Sequence, residues 1–163
     1  GLQMNRDVVR SGKKVNQITY LAKEGVLDGV RPEKYEGKLG LGQSRLPNPY
    51  DSDSDLQTRV RSYWKVNCAH CHIEAGGGNS QINLEWGRAL KDTLTVGVKP
   101  VHSSFGLGEQ AEIVSPGKIS HSVMLQRIIR PKNGRMPPVG GVMPDLKWIE
   151  LFTQWVSELK PDK

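Results

Sequence analysis

The sequence predicts a mainly α domain over residues 53–163 behind an irregular N-terminal extension of residues 1–52, and three stretches carry that prediction. In "DSDSDLQTRVRSYWKVNCAHCH", Leu56, Val60, Tyr63, Trp64 and Asn67 fall on one helical face. "SHSVMLQRIIR" keeps a helical period and stops before Pro131. "DLKWIELFTQWVSELK" sets Trp148, Leu151, Phe152, Trp155, Val156 and Leu159 on one continuous apolar face.

Taken in order, the extension holds one short helical pattern, "NQITYLAKEGVL", with Ile18, Leu21, Ala22 and Val26 at helical spacing and Gly25 as a stop. "GVRPEKYEGKLGLGQSRLPNPYD" follows; it is rich in Gly and Pro, lacks a period, and reads as a loop or strap. Asp53 or Ser54 is expected to cap the next helix, with Asp55 in its first turn, where a carboxylate suits the helix dipole. Residues 76–117 read as irregular, with short extended pieces at "TLTVGV" and "AEIVSPG". Ser120 is expected to cap the third helix and Asp145 the last, on either side of the loop "RPKNGRMPPVGGVMPD". No internal repeat or low-complexity tract is visible.

At 163 residues, 25% charged and 36% hydrophobic, the chain has the balance of a folded domain. No apolar run approaches the roughly 18 residues that would span a bilayer. The opening "GLQMNRDVVR" has no apolar leader stretch, so the expectation is a mature form or an excised fragment. The net charge of +6 is uneven: residues 1–50 carry 9 Lys/Arg against 5 Asp/Glu, and the remainder 14 against 12. No basic stripe with interleaved aromatics accompanies it, so a nucleic-acid partner is not expected.

The two cysteines and two of the four histidines lie in "NCAHCH", residues 67–72. Cys68-Ala69-His70-Cys71-His72 is a C-x-x-C-H motif, the covalent attachment signature of c-type haem. Thiols three residues apart can add to the two vinyl groups on one porphyrin edge, and the next residue, His72, then supplies an imidazole to the iron. His70, at a free position of the motif, is not expected to ligate. A redox dithiol would want a βαβ setting rather than a helix running into irregular chain. A zinc site would want a fourth ligand at recognisable spacing, and His102 and His121 stand alone. A disulfide would close a tiny loop and leave His72 unexplained.

An electron-carrying haem iron wants a sixth ligand, commonly Met or His. Met4 lies in the polar tail, Met124 inside the third helix, and His102 and His121 are expected to be exposed. Met136 in "GRMPP" precedes two prolines that stiffen the backbone, and it is the expected ligand. Met143, one residue before Pro144, has a sufficient role as an apolar staple at the entry to the last helix.

This order of parts resembles class I cytochrome c: a helix into C-x-x-C-H, an irregular middle, a helix, a Met-bearing loop and an aromatic C-terminal helix. More closely, "YWKVNCAHCH", "IVSPG", "GRMPP" and "LKWIELFTQWV" are similar to cytochrome c modules at the C-terminal end of larger exported bacterial proteins. "GLQMNRDV" and "NQITYLAKEGVL" resemble the connector that leads into such modules. The resemblance implies crossing N- and C-terminal helices with one haem between them and the Met loop. It also implies thioethers at Cys68 and Cys71, His72 as proximal and Met136 as distal ligand, and Met143 at a plain apolar position. A proline carbonyl, of Pro116 or Pro100, would accept the His72 N–H, and Arg127, Arg135 or Trp86 would contact the haem propionates.

The expected function is therefore single-electron transfer by a monohaem cytochrome, with no catalytic residues of its own. It would serve as a relay domain of, or partner to, a larger oxidoreductase, and be a monomer located in the periplasm or outside the cell. Redox partners would dock transiently at the haem edge. The alternative is a haem sensor or peroxidase-like enzyme with a labile sixth ligand.

Overall fold

The computed structural model describes residues 6–29, 46–139 and 143–161. The chain divides into two compact units, Gly1–Pro47 and Asn48–Lys163. Among the described residues there are four α-helices and one two-stranded sheet, a small mixed fold in loose agreement with the mainly α expectation. No helix among them is long and apolar enough to cross a membrane. The strap read over residues 29–51 lies largely outside the described residues, as does Met4.

The first unit opens with a hairpin that the periodicity reading missed. Strands β1 (Asp7–Arg10) and β2 (Lys13–Asn16) pair antiparallel, Val8 opposite Val15. Ser11 and Gly12 make the two-residue turn, both left-handed at φ 50° and 75°, as a right-twisted hairpin demands. Asn16 then caps α1 (Gln17–Lys23), its side chain accepting from the Ile18 and Thr19 N–H groups. Gly25, at φ 71°, closes α1: its N–H donates to Ala22 O and that of Val26 to Leu21 O, the Schellman pattern. Val26 is thus beyond the helix and exposed, not on its apolar face.

In the second unit α2 (Leu56–Asn67) begins one or two residues later than expected. Asp55 itself is the cap, accepting from the Thr58 N–H at 2.9 Å, in place of Asp53 or Ser54. Likewise α3 (Val123–Ile129) starts after Ser122 and not at Ser120, because Ile119–His121 forms a tight 3₁₀ turn first. The buried Ser122 hydroxyl is spent on the Ser115 N–H instead of on the helix end. The last helix, α4 (Leu146–Glu158), is capped by Asp145 as expected. Tyr50, counted with the extension in the sequence, donates its hydroxyl to the other oxygen of Asp145.

Helices α2 and α4 pack through aromatic rings. Tyr63 stacks on Trp148 with centroids 3.9 Å apart and planes 3° from parallel, while Trp64 meets Trp155 edge-on at 5.4 Å. Val60, Leu84, Val114, Phe152 and Val156 complete a core from which water is excluded. The irregular middle is tied down locally. "TLTVGV" and "AEIVSPG" meet in a single parallel bridge, Val96 with Val114. The half-buried turn at 85–88 is held by Arg61, which donates to Glu85 O and Arg88 O.

Candidate functional site

The end of α2 builds the site. The N–H groups of Cys68 and Ala69 both donate to Trp64 O, ending the helix, and the chain turns so that the N–H groups of Cys71 and His72 both return to Cys68 O. Both cysteines are free thiols, half-buried. They line, together with His72, a cavity of about 610 Å³, within the roughly 300–1,000 Å³ range of cofactor sites.

Behind His72 the run "AGGG" is a steric requirement. A Cβ on Gly76 would lie 2.5 Å from Cys71 O, and one on Gly78 would lie 2.8 Å from Cys71 O and 2.9 Å from His72 Nδ1. Bare glycines let this segment close on the motif, where the Gly78 N–H donates to Cys71 O and the Leu84 N–H to His72 O at 2.7 Å. His72 Nδ1 is buried here without a hydrogen-bond partner, and the residue lines the cavity.

Far along the sequence, "GRMPP" comes to the same cavity. Met136, Pro137 and Pro138 line it, with Met124 and Ile128 of α3 and the guanidinium-bearing Arg127 and Arg135. The Met136 N–H donates to Arg127 O at 2.8 Å, which fixes the loop to the helix.

Electrostatics at the motif follow from its burial. Desolvation, then the charges of His70 and Arg127, lower the His72 pKa, so the imidazole is neutral at pH 7 with a lone pair for a metal. Desolvation, then Cys71, push the Cys68 thiol up to about 12. A redox dithiol needs the opposite, a stabilised thiolate at a helix N-terminus, whereas Cys68 closes the C-terminal end of α2. Among the described residues no three His, Cys, Asp or Glu side chains converge to hold a bare metal ion.

Comparison with family models, curated proteins and solved structures found no match. The residues present suit a haem. Two thiols, an imidazole and a thioether line one cavity, and Trp64, Trp148 and His72 there carry buried N–H or ring nitrogens without a protein partner. Buried groups of this kind ordinarily find a partner, and a guest bearing acceptor oxygens would supply one to the indoles.

Several expectations are redistributed. Of the propionate candidates, Arg127 and Arg135 line the cavity, but Trp86 sits on the turn held by Arg61, in a separate shallow groove. Pro100 lines the cavity and Pro116 does not, yet neither carbonyl receives a hydrogen bond from the His72 ring. His102 lines the cavity and is exposed, its Nε2 within 2.9 Å of Asn79 O. His121 is half-buried in its 3₁₀ turn, away from the cavity, and Met124 lines the cavity besides packing on the core. Met143 also lines the cavity but is 80% exposed, so it does not act as a buried staple. The sequence reading missed Gly76 and Gly78, for which "AGGG" directly after C-x-x-C-H was the available signal, and Phe105, for which there was none.

Proposed function

We propose that the chain is a monohaem c-type cytochrome that transfers single electrons, as a relay domain of, or partner to, a larger oxidoreductase. What carries this is the gathering of Cys68, Cys71, His72 and Met136 onto one cavity of about 610 Å³. Cys68 and Cys71 would hold the haem through thioethers, and His72 and Met136 would supply ligands to its iron. When bound, the haem supplies a one-electron ferric/ferrous couple.

The protein's own work is to hold and tune. Burial keeps the His72 imidazole neutral, and the glycines behind it, with the Leu84 N–H on its carbonyl, fix where the ring stands. A thioether from Met136 and apolar walls at Ile82, Leu84, Ile113 and Val123 both favour the less charged iron state and so raise the potential. No residue is assigned a catalytic role. Electron partners would dock transiently at the cavity mouth, and assembly of thioether-bound haem implies a periplasmic or extracellular location.

Optical spectra test this directly. Low-spin ferric protein with the long-wavelength thioether-to-iron band, and ferrous protein that does not take up carbon monoxide while folded, are expected. A high-spin ferric spectrum with ready carbon monoxide binding would move the assignment to a sensor or peroxidase-like site. A protein without a haem chromophore would overturn it.

A further inference from the structure

Met136 reaches the cavity on a loop without regular structure, so its register must be fixed by contacts. Three hydrogen bonds fasten the loop to the end of α3. The Met136 N–H donates to Arg127 O at 2.8 Å, Arg127 Nη1 donates to Gly134 O at 2.9 Å, and Arg130 Nε donates to Asn133 O at 3.1 Å. Two of the three depend on where the arginine guanidinium groups stand.

One ring orders both arginines. The guanidinium carbons of Arg127 and Arg130 each lie 4.5 Å from the centroid of Phe105. Among the described residues neither makes an ion pair with a carboxylate, so the ring quadrupole is the electronegative surface that both cations find. Phe105 is itself placed with care. Its backbone is left-handed at φ 53°, a conformation bulky side chains rarely adopt, and its N–H is bonded to Ser103 Oγ at 3.1 Å. Gly134 closes on the ring edge: a Cβ there would lie 2.9 Å from Cε1 and 3.0 Å from Cζ.

We infer that Phe105 is a positioning residue for Met136: its ring orders Arg127 and Arg130, which hold the loop that presents the thioether to the cavity. The consequence for iron ligation rests on the haem assignment above, whereas the fixing of the loop does not.

The test uses the protein as isolated, with Phe105→Ala, Phe105→Leu and Phe105→Tyr. Two quantities are measured, hydrogen exchange at the Met136 amide and cyanide binding to the ferric protein. Phe105→Ala and Phe105→Leu are expected to speed exchange and tighten cyanide binding about tenfold, while Phe105→Tyr, which keeps the ring, stays within about twofold of the parent. Exchange in α4 should not change in Phe105→Leu or Phe105→Tyr. Unchanged Met136 exchange in Phe105→Leu, or a Phe105→Tyr variant no better than Phe105→Leu, overturns the role of the ring. A parent protein that carries no haem overturns the functional assignment instead, and the exchange comparison still decides the role of Phe105.

Discussion

Gly78 has almost no room to be anything else: a single methyl group there would meet both the Cys71 carbonyl and the His72 ring. Backbone and imidazole cannot retreat together without disturbing the turn after α2. Gly78→Ala should therefore cost about 1–3 kcal/mol by overpacking, read as a lower denaturation midpoint in urea. The two methionines make a sharper pair. Met136 and Met143 both line the cavity, but only Met136 is half-buried and hydrogen-bonded to α3 through its own backbone N–H. Met136→Ala should abolish the thioether band of the ferric protein and let imidazole bind the iron, while Met143→Ala leaves both properties as they are. The opposite pattern would mean that Met143 is the ligand. At this scale the sequence reveals residues whose chemistry is explicit, such as Cys68, Cys71 and His72. It conceals those whose role depends on what lies across space, such as Phe105 beneath two arginines.

Helix ends show the same division at the scale of elements. The amphipathic stretches that became α2, α3 and α4 were legible because each must bury an apolar stripe. Their caps were less legible: Asp145 was expected and caps α4, whereas at α2 the cap was expected at Asp53 or Ser54 with Asp55 inside the first turn, and at α3 it was expected at Ser120. Asp55 won because its carboxylate accepts from the Thr58 N–H. Hydrogen bonds to Thr58 are also the leading reason its pKa is lowered, so the cap is strongest when ionised. Asp55→Ala should cost about 1 kcal/mol at neutral pH. Since the folded-state pKa lies below the unfolded one, that contribution is fully present above about pH 4 and is lost as pH falls through the folded value. Denaturation of parent and variant across this range should show their difference shrinking toward acid, and a constant difference would count against a charged cap. The β1–β2 hairpin was missed for a reason of length: four-residue strands barely register as a period-two signal, although Ser11-Gly12 between valine-bearing segments was a usable turn cue.

Over the whole second unit, aromatic contact between α2 and α4 is what brings the site's supports together. Trp148 is buried, stacks on Tyr63 and meets Phe152, so it links the helix that ends at Cys68 with the helix that follows the Met136 loop. Trp148→Ala should cost about 3–5 kcal/mol, the range for emptying a large aromatic site, seen as a loss of cooperative thermal unfolding or a sharply lower midpoint. The apolar face of α4 was plain in the sequence because its tryptophans and phenylalanine recur at helical spacing. The irregular stretch from residue 76 to residue 117 was not, because its shape comes from isolated bridges and single side-chain ties such as Arg61 to Glu85 O. The pairing of "NCAHCH" with "GRMPP", 64 residues apart from His72 to Met136, was expected from ligand chemistry together with the resemblance to class I cytochrome c; both segments line one cavity. The intact mass of the denatured protein, produced by a host that attaches haem to exported chains, tests the central proposal most directly. The account predicts the mass of the chain plus one haem, lost when both Cys68→Ala and Cys71→Ala are introduced. A bare chain with two free thiols from that host would contradict it.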